Sequence, residues 1–174
     1  VYSRRSSCEV SLHTHVSCGG DQTIRVLGDA DQHRQYPTKV SKPSVIQVEA
    51  SMEHETVLSL DLMQSHWDLP TEPVMVSVVD GTNFPVIMAY RLLASRLQAL
   101  SCNFPILLKD TFHPESEMES SAALMRSSAN LGTLLCDGIG DAIYVRNECD
   151  ASKAVPLAYT ILQAAGCRSF KTDY

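Results

Sequence analysis

The chain has 174 residues, 44% hydrophobic and 20% charged, a balance that allows one domain with a packed core. A net charge of −6 without a basic stripe argues against a nucleic-acid surface, and no apolar run approaches the length of a membrane span. Residues Val1 to Arg5 lack an initiating Met and the apolar core of a signal peptide, which reads as the start of an excised fragment.

The first 73 residues are predicted to be poorly patterned. Arg4–Ser7 and Asp29–Ser44 lack any period and read as loop or disorder. Thr23–Leu27 and Val45–Val48 are short strand candidates, and Ser51–Gln64 carries a weak helical stripe of Met52, Val57, Leu60 and Met63. Trp67, the one tryptophan, is expected in or near a core, and Pro70 and Pro73 then punctuate the chain.

From residue 74 the signals sharpen. Val74–Val79 is a buried strand ending in the turn Asp80-Gly81. Pro85–Leu100 is a helix with Ala89, Leu93, Leu97 and Leu100 on its core face. Phe104–Leu108 is the next strand. A helix opens at Glu115–Met118 with Met118, Ala122, Met125 and Ala129 on one side, and Leu131–Cys136 is taken as its last turns. Asp141–Val145 is a strand, Ser152 caps a last helix buried through Val155, Tyr159 and Leu162, and Gly166 stops it. Alternating strands and helices predict an α/β fold of partial TIM-barrel-like parallel strand–helix units, in a domain covering residues 74–174.

Several clusters carry candidate chemistry. Asp137, Gly138, Gly140 and Asp141 form a glycine loop that could cradle an anion, although it precedes a strand and phosphate loops open a helix. Lys109, Asp110 and Asp137 could serve a small barrel-type phosphate-ester enzyme, since barrel sites form at strand C-terminal ends. His13, His15 and Cys18 have metal-like spacing but lack a fourth ligand. The six cysteines, Cys8, Cys18, Cys102, Cys136, Cys149 and Cys167, include no C-x-x-C pair and read as reduced and mostly buried.

Three segments in order carry a resemblance. Gly132-Thr133-Leu134-Leu135-Cys136-Asp137-Gly138-Ile139-Gly140-Asp141-Ala142-Ile143 is followed by Leu157–Ala165 and then by Arg168-Ser169-Phe170-Lys171-Thr172-Asp173-Tyr174. Together they resemble the 4-hydroxy-3-methylbut-2-enyl diphosphate synthase family of the non-mevalonate isoprenoid pathway, in its large three-domain form. Val74–Asp80, Tyr90-Arg91-Leu92-Leu93 and Asn103-Phe104-Pro105-Ile106 extend the likeness to the insert domain of that form. The resemblance implies a barrel-like insert between a substrate barrel and an iron–sulfur domain, with the chain stopping where the cluster motif would begin. It implies a parent oxidoreductase that reductively opens 2-C-methyl-D-erythritol 2,4-cyclodiphosphate through a [4Fe–4S] cluster, with ferredoxin or flavodoxin as electron donor. The cluster's ligands and the catalytic Glu would lie in the domain that is absent here, so no cofactor, metal or catalytic residue is expected in this chain. Its partners would be the other domains of the parent, with neither nucleic acid nor membrane, in a bacterial cytoplasm or a plastid stroma. One departure matters: Tyr144 stands where the substrate barrel's strand has Arg, and Arg146 where it has Ser. A tyrosine supplies no fixed cation, so the insert is expected not to bind the substrate.

Overall fold

The computed structural model describes residues 3–39, 46–52, 57–113, 120–148 and 150–169. Six short parallel strands form its centre. They are β3 (Arg25–Gly28), β4 (Ala50–Ser51), β5 (Val57–Leu60), β6 (Met75–Val78), β7 (Leu107–Lys109) and β8 (Ala142–Tyr144). β3 pairs with β4 on one side and β8 on the other, β7 pairs with β8, and β5 pairs with β6. A single parallel bridge, Val76 to Ile106, joins β6 to β7. The run β4-β3-β8-β7-β6-β5 therefore brings the first of these strands beside the last, which is the order of a sheet curling into a barrel. Among the described residues no ladder links β4 to β5, and the ring stays open there.

Alternation along the strands divides two cores. Val26, Val76, Val78, Ile106, Leu108, Ile143 and Val145 pack in the larger one with the helices α2 (Val86–Ala99), α3 (Ser120–Cys136) and α4 (Ala151–Ala164). Leu27, Ala50, Met75, Leu107, Ala142 and Tyr144 form the other. That inner core is completed by Leu12 and Cys18 of an antiparallel hairpin, β1 (Val10–His13) and β2 (Val16–Cys18).

Where β6 and β7 separate, side chains replace the ladder. The Tyr90 hydroxyl accepts from Lys109 N at 2.8 Å and lies 3.0 Å from Ser77 Oγ, which donates to Leu107 O at 2.9 Å. The crossover between β5 and β6 has no helix. Trp67 takes that place, buried beneath Arg96 at 3.9 Å, while the Arg96 guanidinium donates to the carbonyls of Leu62, Gln64 and Ser65.

The strands expected at Val74–Val79, Phe104–Leu108 and Asp141–Val145 are present, and Leu131–Cys136 is helical. Other expectations are corrected. Asp29–Ser44 was expected to be unstructured, but Asp29 caps a short helix, α1 (Ala30–Gln35), by accepting from Gln32 N. Within Ser51–Gln64 the described residues carry β5 in place of the expected helix, because pairing with β6 outweighs a weak stripe, and Met63 is exposed; residues 53–56 lie outside the described residues. Glu49 N donates to Val26 O, but the ladder forms at Ala50–Ser51, and Val45 lies outside the described residues. α2 ends before Leu100, which turns outward at a chain reversal where Ser101 has φ 53°. In α3 the buried face is Ala123, Ser127, Leu131 and Leu134, whereas Ala122, Met125 and Ala129 are exposed. A serine on the inner face disguised it: Ser127 donates to the buried Asp110 at 2.5 Å. Glu115–Met118 lies outside the described residues. Asp150, and not Ser152, caps α4. Of the five described cysteines only Cys18 is buried; Cys8, Cys102 and Cys167 are partly so, and Cys136 is exposed.

Candidate functional site

Parallel strands place all their C-terminal ends on one face, where barrel folds carry their chemistry. Asp29 follows β3, Asp80 follows β6, Lys109 closes β7, and Arg146 lies just past β8. These side chains meet. Asp80 accepts from Lys109 Nζ at 2.6 Å and from the two ends of the Arg146 guanidinium at 2.7 and 3.0 Å. The cations are deep and the carboxylate is not: side-chain exposure is 6% for Lys109, 12% for Arg146 and 47% for Asp80. Burial pushes the Asp80 carboxyl up, but the hydrogen bonds from Arg146 and Lys109 outweigh it and hold it below the usual range. Burial lowers Lys109, and Asp80 partly restores it.

Tyr144 lies in the inner core below this group and donates to Asp29 at 3.1 Å. Asp110, next to Lys109, is fully buried and accepts from Ser127 Oγ, Arg146 N and Asn147 N. Burial raises its carboxyl despite those bonds. Asp110 thus splints β7, α3 and the segment after β8 together, and its oxygens are committed to internal donors. Lys109 and Asp110 are neighbours here, but Asp137 sits at the opposite end of the strands, so that trio is not brought together. Sequence reasoning missed Asp80 and read Arg146 only as a replaced serine. The Asp80-Gly81 turn was visible, but its link to Arg146 spans the chain.

At the N-terminal ends of the strands lies the glycine loop. Gly138 and Gly140 have φ of +79° and +119°, which favours glycine. The chain's own arm fills this loop. Arg5 N donates to Gly138 O at 2.8 Å, and a Cβ on Gly138 would stand 2.3 Å from Ser3 O. Asp141 accepts from Arg4 Nη2 at 2.6 Å, Ser7 Oγ at 2.7 Å and Ile106 N at 2.8 Å. Asp137 pairs with Arg91 at 2.8 Å.

A second clamp holds the segment after α4. Arg168 meets Glu49 at 2.7 and 3.2 Å, donates to Ile24 O, and lies 5.0 Å from the Tyr159 ring. Arg25 also pairs with Glu49, at 3.2 Å. Arg4 meanwhile donates to Gln22 O at 2.6 Å. The arm and the segment after α4 therefore dock on the same β2–β3 connection.

The metal-like trio does not converge. Cys18 points into the inner core, where burial pushes its thiol up to about 12, while His13 and His15 are exposed on the hairpin. Among the described residues no group of three or more His, Cys, Asp or Glu is placed to hold a metal. No described helix is long and apolar enough to cross a membrane.

No protein-family model matches the chain. Curated proteins do. A 103-residue stretch is 42% identical to 4-hydroxy-3-methylbut-2-en-1-yl diphosphate synthase (flavodoxin) of Akkermansia muciniphila, covering 59% of this chain and 17% of that protein. Over that stretch the chain is similar to 4-hydroxy-3-methylbut-2-en-1-yl diphosphate synthases. The ferredoxin-named synthase of Picosynechococcus is 35% identical over 58% of this chain and 24% of its own length. The flavodoxin-named synthase of Chlorobaculum tepidum is 36% identical over 58% of this chain and 13% of its own. The chain spans at most about a quarter of the length of these synthases.

Proposed function

We propose that this chain is the insert domain of a large-form 4-hydroxy-3-methylbut-2-en-1-yl diphosphate synthase. Its role is to space and orient a substrate barrel and an iron–sulfur domain within one longer chain. The observation that carries this reading is the shared docking of the two ends: Arg4 on Gln22 and Arg168 on Ile24. Ends that leave a domain close together are an arrangement that tolerates placement within a longer chain, and they support this reading. Orientation of that kind contributes to rate without a reacting side chain, because a closed geometry removes the entropy of bringing groups together.

On this reading the [4Fe–4S] cluster belongs to another domain of the parent and supplies its electrons there. Flavodoxin or ferredoxin, the words in the relatives' names, is the donor to that parent. The parent works in a bacterial cytoplasm or a plastid stroma. What this chain supplies is rigidity, through Asp141 at one end and Glu49 at the other.

Replacing the matching stretch of the Akkermansia muciniphila synthase with this chain tests the proposal. The chimera should turn over the cyclic diphosphate, and a version with the stretch replaced by a flexible linker should not. Equal activity of the two would overturn it. Isothermal titration of the isolated chain with the cyclic diphosphate should show no binding, and micromolar binding would overturn the non-binding role.

A further inference from the structure

At the mouth of the strands two cations share one carboxylate, and the cations are the fixed partners. Lys109 stands on β7 with its side chain almost wholly in the interior. Arg146 is held from behind, its backbone N on Asp110 and its Nη1 3.3 Å from Thr111 O. A fork of guanidinium nitrogens beside an ammonium is how proteins grip phosphate and carboxylate oxygens.

Asp80 differs. It belongs to the turn after β6, it is half exposed, and it borders an open groove of about 560 Å³ shared with Asp61, Thr82 and Phe84. The turn's backbone is tied separately, Val79 N to Leu60 O and Gly81 N to Phe112 O. Rotation of the Asp80 side chain alone would vacate both cations while the turn stays in place. Its occupancy of the site needs no ligand, and it competes with one at the high effective concentration of a tethered group.

We propose that Lys109 and Arg146 form an oxyanion site at the strand mouth, that Asp80 is its built-in occupant, and that a phosphate-class anion takes the site when Asp80 is displaced. Other charges shape it. Asp110 lies behind Arg146 and Asp29 is bound to Tyr144, so two further carboxylates weaken the pull on an external anion. The resting chain is thereby left with only weak binding of diphosphates, visible at large excess and well short of the micromolar binding that would contradict the non-binding role; the mouth geometry alone carries this step.

The test uses this chain with inorganic pyrophosphate, against chloride at matched ionic strength. Asp80→Asn, and separately Asp80→Ser, should bind pyrophosphate about tenfold or more tighter than wild type, since the tethered competitor is gone. Lys109→Met added to either variant should abolish the gain. A gain that survives Lys109→Met, or no gain at all, overturns the proposal. The wild-type chain gives a reading that does not depend on the variants folding: excess pyrophosphate should shift the Arg146 side-chain N–H resonance, and an unmoved resonance overturns it. Failure here would leave the chimera experiment untouched, and failure of the chimera would leave this one standing.

Discussion

Asp80 is held by charge, so its contribution to stability depends on pH in a direction that can be worked out. Its folded pKa lies below its ordinary 3.8. Stability from the pair is therefore complete above that ordinary value and is lost as pH falls through the lower, folded one. Denaturant titrations below pH 4 should show wild type losing stability faster than Asp80→Asn; parallel losses would mean the pair is energetically idle. Asp141 holds a larger set of donors: it is buried and accepts from Arg4, Ser7 and Ile106 N together. Asp141→Ala strands all three donors and should cost about 3 kcal/mol or more by denaturant unfolding. The sequence offered Asp141 as part of a glycine loop that could cradle an anion. Arg4 and Ser7 lie more than a hundred residues away in the chain and Ile106 lies 35 away, and no local pattern records them. Tyr144 was legible as a lost cation, but not as the donor to Asp29.

At the level of elements, α2, α3 and α4 were readable because each is long enough for its period to emerge. The elements that escaped are short. β1, β2, β4 and α1 span two to six residues each, and side chains hold them more than periodicity does. Helix α4 adds a device of its own. Pro156 lies inside it and removes the N–H that would satisfy Ser152 O. Tyr36, just past α1, donates its hydroxyl to that carbonyl at 3.0 Å. Tyr36→Phe should cost about 0.5–1.5 kcal/mol, the usual net value of one hydrogen bond. In a Pro156→Ala background, where the backbone supplies the N–H again, the same change should cost less. Equal costs in the two backgrounds would break the link between the proline and the tyrosine.

For the whole molecule, the parallel strand–helix repeat after residue 74 indicated the α/β class, and the strands there carry enough apolar residues to be seen. What could not be read is how the earlier chain joins them: β3 enters beside β8, and the hairpin β1–β2 fills the inner core from below. Glu49 ties that arrangement to the far end. It is buried at the head of β4 and accepts from Arg25, from Arg168 and from Val26 N. Glu49→Ala would leave two guanidinium groups and one amide without their acceptor, a loss on the order of 3–5 kcal/mol for a buried pair. The change should also be local in its first effect. The segment after α4 is held to the strands through Arg168, and α2 and α3 have no contact with Glu49 among its hydrogen bonds. Native-state hydrogen exchange of Glu49→Ala should therefore rise first at residues 165–168 and in β3, with α2 and α3 opening only by global unfolding. A uniform rise across all helices would mean that Glu49 supports the fold as a whole and does not act as a clamp on the outgoing chain. The distinction matters for the proposed role, because a clamp acting on the segment after α4 fixes the direction in which that segment leaves the strands.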